Sequence, residues 1–150
     1  MKAKLIAISK HERSIFLAMA EENFRELNAC FVPHADWVET YFDNILDNPE
    51  KILSWLLLDG EKIGFILFGL ESHPFLPRKN GVVYELYVVP KHRRKGVARA
   101  AAEMAIAELK LLRPAKIQLE VAVGNKKAAE LWKSLGFKQA TERYILRTEV

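Results

Sequence analysis

Apolar positions recur along this chain with two periods, and the switches between them mark out its elements. Lys4–Ile8 is a short apolar run that reads as a first strand and is too short for a signal peptide. From about His11 to Asn28, Ile15, Phe16, Met19, Ala20, Phe24 and Leu27 recur at helical spacing. Beyond Pro33, Trp37, Val38, Tyr41, Phe42 and Ile45 give Ala35–Leu46 a second helical face, ended by Asn48-Pro49. Ile52–Leu58 and Lys62–Gly69 are apolar runs joined by Asp59-Gly60-Glu61, which predicts a hairpin. Ser72–Gly81 holds Pro74, Pro77, Asn80 and Gly81 and predicts a loop. Val82–Val89 is largely apolar at both parities, with Val82, Tyr84, Leu86 and Val88 on one face and Val83, Tyr87 and Val89 on the other. That predicts a central strand covered on both sides, closed by Pro90.

The second half alternates helix and strand. Arg94–Leu112 predicts a helix with apolar positions 97, 101, 105, 109 and 112, stopped at Pro114. Its alanines at 98, 100, 101, 102, 105 and 107 allow close packing on a sheet. Lys116–Val123 predicts a strand with Ile117, Leu119, Val121 and Val123 on one face. Asn125 opens a short helix as N-cap and Gly136 ends it. Phe137–Thr141 and Arg143–Arg147 are expected as the last strands. Strand–helix–strand over 82–123 is a crossover unit, which makes its two strands parallel, while the hairpins make the others antiparallel. The expectation is a single domain, residues 1–150, of mixed α/β class, with six to seven strands and helices on both faces.

Composition narrows the function classes. Of 150 residues, 50% are apolar and 28% charged, which reads as a soluble globular chain. No run approaches the ~20 apolar residues of a membrane span. The lone cysteine, Cys30, forbids an internal disulfide and fits a reducing cytoplasm. His11, His34, His73 and His92 have no ligand spacing, so no metal is expected. The net charge of +4 conceals an asymmetry. Residues 11–50 hold nine acids (Glu12, Glu21, Glu22, Glu26, Asp36, Glu39, Asp43, Asp47, Glu50) against Arg13 and Arg25, whereas residues 91–150 hold fourteen Lys or Arg against six Glu. The basic half suits a polyanionic ligand and the acidic half a cationic amine; ordinary solvated helix faces would read the same way.

The chemistry concentrates at Val88-Val89-Pro90-Lys91-His92-Arg93-Arg94-Lys95-Gly96-Val97-Ala98. An apolar strand, a basic turn, a glycine and a small-residue helix suit an anion held on backbone amides at a helix N-terminus. Neither G-x-G-x-x-G nor G-x-x-x-x-G-K-[ST] is present. Arg93-x-x-Gly96-x-Ala98 resembles the [QR]-x-x-G-x-[GA] signature of the GCN5-related N-acetyltransferases (GNAT family). Asn125-x-x-Ala128-x-x-Leu131-Trp132-x-x-Leu135-Gly136-Phe137 is similar to that family's second motif, in family order and spacing.

The resemblance implies the family's fold, with strands 82–89 and 116–123 splayed so that pantetheine inserts between them. It implies acetyl-CoA as co-substrate and acetyl transfer to a primary amine by direct attack in a ternary complex. The turn Arg93, Arg94, Lys95, Gly96, Val97 and Ala98 would cradle the CoA pyrophosphate, with Arg93, Arg94 and Arg99 as side-chain contacts. Val88 and Val89 would offer backbone groups to the pantetheine arm, and the Val88 amide would face the developing oxyanion. Asn125, Ala128 and Trp132 would lie along the same ligand, Asn125 either as a contact or purely as a helix cap.

Glu85 is the one charge inside strand 82–89, where a carboxylate is costly unless paired or wet. It is the candidate general base, with an ion pair to a neighbouring cation as the structural alternative; Glu120 is a weaker candidate. Trp132 replaces the family's usual tyrosine, and an indole N–H is no useful acid. Tyr144 is the candidate substitute, with Tyr87 beside it. The resemblance places His34, Asp36, Trp37, Tyr41 and the loop His73–Lys79 near the acceptor, a small-molecule or peptide amine. A non-catalytic acyl-CoA-binding module and a basic nucleic-acid-binding domain are the alternatives; the acidic first third disfavours the latter. A homodimer is compatible with the sequence, which fixes no oligomeric state.

Overall fold

The structure is a computed structural model that describes residues 2–148. Met1–Glu120 forms one compact unit and Val121–Val150 a second. The first holds β1 (Ala3–Ala7), α1 (Arg13–Leu27), α2 (Ala35–Leu46), β2 (Lys51–Leu58), β3 (Glu61–Glu71), β4 (Asn80–Val88), α3 (Val97–Leu111) and β5 (Ile117–Leu119). Single 3-10 turns at Lys10–Glu12 and Pro90–His92 lead into α1 and towards α3.

The sheet order is β1-β2-β3-β4-β5. β1 to β4 pair antiparallel, and β5 pairs parallel to β4, as the crossover predicts. Helices cover both faces. On one, Phe16 and Ala20 of α1 and Phe42 and Ile45 of α2 pack on Leu53, Trp55, Phe65, Leu67 and Tyr87. On the other, Val97 and Ala101 of α3 pack on Leu56, Ile63 and Val88. Gly64 of β3 is obligatory at this crossing, because a Cβ there would strike the Tyr87 carbonyl of β4.

Several expectations need correction. The sheet has five strands, not six to seven, among the described residues. Residues 137–148 carry no helix or strand, and Tyr144, Ile145 and Leu146 are exposed. Alternating apolar residues make a strand only where a neighbouring edge supplies the backbone partners. The strand expected over 116–123 is three residues long. The helix expected from Arg94 begins at Val97, because Arg94 and Gly96 both take positive φ (62° and 79°). The buried stripe of α1 is also rotated. Ile15 and Leu27 are exposed, and Phe16, Ala20 and Asn23 face the sheet.

The second unit contains α4 (Lys126–Ser134). The Asn125 side chain caps it by accepting from the Ala128 amide at 3.1 Å. Its C-terminus is a Schellman motif: Gly136 N–H donates to Lys133 O at 3.0 Å and Phe137 N–H to Trp132 O at 3.1 Å, with Gly136 at φ 98°. The Trp132 and Phe137 rings meet edge to face, 5.4 Å apart, which is the apolar contact that accompanies this cap.

Candidate active site

β4 is paired on both sides only at its start. Gly81–Val83 meets Ile117–Leu119 of β5, and β5 ends there. From Tyr84 to Val88, β4 has β3 on one side and no strand on the other among the described residues. A bulge falls at this point. Phe68 of β3 faces Val83 and Leu67 faces Glu85, which leaves Tyr84 as the extra residue. The bulge changes which side chains share a face. Tyr84, Glu85 and Tyr87 all turn towards α1 and α2, while Leu86 and Val88 turn towards α3. Strict alternation had put Tyr84 with Leu86 and Val88.

The open edge has a definite set of polar groups. Val89 N–H donates to Ile63 O at 2.8 Å, towards β3, and Tyr87 O also lies against β3. Alternation therefore turns the amide and carbonyl of Leu86 and of Val88 to the open side. Val89 differs, since its N–H faces β3 and its carbonyl accepts from His92 N–H at 3.0 Å. Leu86 and Val88 are thus the residues at this end of β4 whose backbone groups face the open edge.

Arg93 Nη2 lies 2.7 Å from both carboxylate oxygens of Glu26, and Arg93 Nε donates to Val88 O at 2.7 Å. The guanidinium also sits 5.4 Å from the centre of the Tyr87 ring. The side chain points to α1 and anchors the turn through this ion pair. Of the open-edge groups of Val88, the N–H remains. On the same turn His92 Nε2 bonds Glu61 at 2.8 Å, which ties it to the start of β3.

Past this anchor, the left-handed residues Arg94 and Gly96 bring the chain into α3. The first helical bond runs from Ala100 N–H to Gly96 O at 3.1 Å. The amides of Val97 and Ala98 precede it, at the positive end of a 15-residue helix. A Cβ at Gly96 would meet nothing within 4 Å, so the dihedral and not the space selects glycine. Arg94 and Lys95 are exposed beside these amides, and Arg99 pairs with Glu103 at 3.2 Å.

On the opposite face stands Glu85, half-buried, its Oε2 accepting from Asn23 Nδ2 at 3.0 Å. Burial pushes its carboxyl above the ordinary range, and the Asn23 hydrogen bond pulls back the other way. The Tyr41 hydroxyl of α2 is pushed up by burial and then by the charge of Glu85. Trp37 stacks on Tyr41 with ring centres 5.0 Å apart, and Phe24 meets Tyr41 at 5.8 Å. Tyr87 donates to Glu22 at 3.0 Å and its hydroxyl is pushed up to about 12, by burial first and by that bond second.

Of the acceptor-side candidates, the structure brings Tyr41 within electrostatic reach of Glu85 and stacks Trp37 on Tyr41. His34 and Asp36 stay exposed at the α2 N-terminus, where His34 Nδ1 caps the Asp36 amide at 3.2 Å. The loop His73–Lys79 is held through Arg78 to the carbonyls of Arg113 and Pro114, and through Lys79 to Glu50. In the second unit Tyr144 is 86% exposed with its hydroxyl on Glu142, which raises its pKa. Sequence reasoning missed Asn23 and Leu86. A polar residue seven positions after Phe16 on a buried stripe is the signal that could have found Asn23.

The acetyltransferase (GNAT) family matches over residues 12–137, and the chain belongs to that family. It is 23% identical over 133 residues to an uncharacterised N-acetyltransferase of Methanocaldococcus jannaschii, covering 88% of this chain and 59% of the relative. It is 34% identical over 89 residues to an N-alpha-acetyltransferase of Sulfurisphaera tokodaii, covering 55% of this chain and 53% of the relative. The chain thus spans little more than half the length of these curated relatives. Its fold is that of an aminoglycoside N-acetyltransferase solved with CoA, at TM-score 0.77 and 16% identity, covering 99% of this chain and 95% of the other.

Proposed function

We propose that this chain is an acetyl-CoA-dependent N-acetyltransferase whose acceptor is a primary amine. The observation that carries it is the half-open β4, which runs from Glu85 along an unpaired edge into a left-handed turn at a helix N-terminus. An elongated donor with one polyanionic end fits that series. The pantetheine arm lies along the edge as an added strand, on the backbone groups of Leu86, which leaves the amide of Val88 for the thioester carbonyl. The pyrophosphate lies on the amides of Gly96, Val97 and Ala98, with Arg94, Lys95 and Arg99 supplying charge. In the second unit, family resemblance assigns CoA contacts to Asn125, Ala128 and Trp132.

Acetyl-CoA supplies an acyl group activated as a thioester, which an amine attacks directly with departure of the thiolate. The Val88 N–H is the donor for the oxyanion. Glu85 accepts the ammonium proton of the acceptor, directly or through water. A carboxylate raised by burial is closer to the working range of a base at neutral pH. The acceptor enters from the side of α1 and α2, past Tyr41 and Trp37. Trp132 offers no acid for the departing thiolate, so its proton comes either from water or from Tyr144, the candidate acid. The single cysteine suits work in a reducing cytoplasm.

The relatives' names divide the acceptor classes between N-alpha amines and aminoglycosides. The test is thiol release from acetyl-CoA across free-N-terminus peptides, aminoglycosides and polyamines, with Glu85→Gln alongside. At least one amine should turn over, and Glu85→Gln should lower kcat/KM by ~10²–10⁴-fold. Tight CoA binding with no turnover on any amine would leave an acyl-CoA-binding module instead.

A further inference from the structure

Glu85 is held by a single described donor, and that donor sits where packing alone would put a hydrocarbon. Phe16, Ala20 and Asn23 form the buried stripe of α1, and Asn23 is only 6% exposed. A side-chain amide removed from water is unfavourable unless it is hydrogen-bonded. Leucine would satisfy the helical pattern with no polar group to bury. The partner that explains the amide is Glu85, whose Oε2 lies 3.0 Å from Asn23 Nδ2. Among the described residues no side chain donates to Oε1.

We propose that Asn23 is the positioning residue of this site: its amide fixes Glu85 by Oε2 and presents Oε1 to the incoming amine. The proposal rests on the reading of Glu85 as the base. Two opposed influences meet on that carboxylate, because burial favours the neutral acid and the Asn23 amide favours the anion. Asn23 therefore keeps a buried carboxylate ionised often enough to accept a proton, and holds it in one rotamer while it does so.

The other groups facing Glu85 do not replace this donor. From α1, Glu22 is engaged by Tyr87 and Glu26 by Arg93. From α2, Tyr41 feels the charge of Glu85 without a hydrogen bond to it. On β4, Tyr84 donates to Glu71 at 2.8 Å. β3 places Leu67 opposite Glu85, and the nearest β2 cation, Lys51, lies over the Tyr84 ring at 4.7 Å.

The experiment pairs Asn23→Leu, which removes the donor, with Asn23→Asp, which keeps the shape and replaces the donor by an acceptor. The ionisation of Glu85 is followed directly by carbon-13 NMR titration of its carboxyl, and kcat/KM is followed against pH. In both variants the titration midpoint should move to higher pH, further in Asn23→Asp. The acid limb of kcat/KM should follow it, with a fall of about tenfold at pH 6 and less than twofold at pH 9, and KM for acetyl-CoA within about twofold. An unmoved Glu85 titration in a folded Asn23→Asp protein overturns the proposal, as does a rate loss equal at every pH. Glu85→Gln separates the two readings. Wild-type rate and pH profile in that variant would remove Glu85 as base, while the Glu85 titration in the Asn23 variants would still report whether the amide sets its ionisation.

Discussion

The two faces of the sheet solve packing in opposite ways, and the difference follows the proposed division between acceptor and donor. The α1/α2 face is aromatic: Phe16 touches the rings of Tyr41, Phe42, Trp55 and Phe65, with centres 5.0 to 6.4 Å apart. The α3 face is built from small residues, with Val97, Ala101, Ala102 and Ala105 buried. Glu85, Asn23 and Tyr41 lie on the aromatic face. Alanines draw α3 close, which sets its N-terminus directly after the end of β4. The proposed acceptor side is thus formed by bulk and the proposed donor side by close approach.

The largest effect should come from removing bulk on the first face. Phe16→Ala should cost about 3–5 kcal/mol of stability in urea denaturation, because the ring is fully buried among four others. A loss under 1 kcal/mol would mean that the aromatic layer collapses to fill the space. On the α3 face the damaging change is the reverse. Ala105→Leu should cost about 1–3 kcal/mol by overpacking and raise KM for acetyl-CoA, as the helix is pushed from the sheet. A neutral result would show slack in that contact.

Gly96→Ala comes next and acts on the turn alone. The site has open space, so the cost is the left-handed backbone, about 1 kcal/mol. Its main signature should be weaker acetyl-CoA binding in calorimetry with an unchanged Kd for the amine.

The smallest effect concerns Glu85 and stability. Its folded pKa lies above the ordinary value of 4.5, so the stability associated with the neutral acid is present below that value and lost as pH rises through the folded pKa. Glutamine never ionises and can still accept from Asn23. Glu85→Gln should therefore raise Tm relative to wild type at pH 7 and lose that advantage at pH 4. An equal Tm difference at both pH values would mean that Glu85 is well solvated.

Much of the donor side was legible in the chain because its parts are consecutive. The strand end, Pro90, the turn glycine and the alanine-rich helix lie within one stretch of sequence, and each follows from a local rule. The cap of α4 was legible for the same reason. The acceptor side was less so, because its contacts join distant residues: Asn23 with Glu85, Glu22 with Tyr87, Glu26 with Arg93. Arg93 illustrates the limit. Sequence marks it as a cation in an anion-binding signature, but only the approach of α1 shows that its charge is spent on Glu26 and on the Val88 carbonyl. The bulge at Tyr84 is similar, since a one-residue slip in pairing reassigns a face without any change in local pattern.

By itself, then, the sequence determined the element order as far as α4, the parallel crossover, the covered central strand and the family, because these depend on periodicity and on short motifs. Only the tertiary structure decided where β5 stops, which backbone groups of β4 face outward, and that residues 137–148 stay without a strand. Those outcomes depend on which edge meets which, and a hydrogen-bonding edge finds its partner through the fold and not through neighbours in the chain.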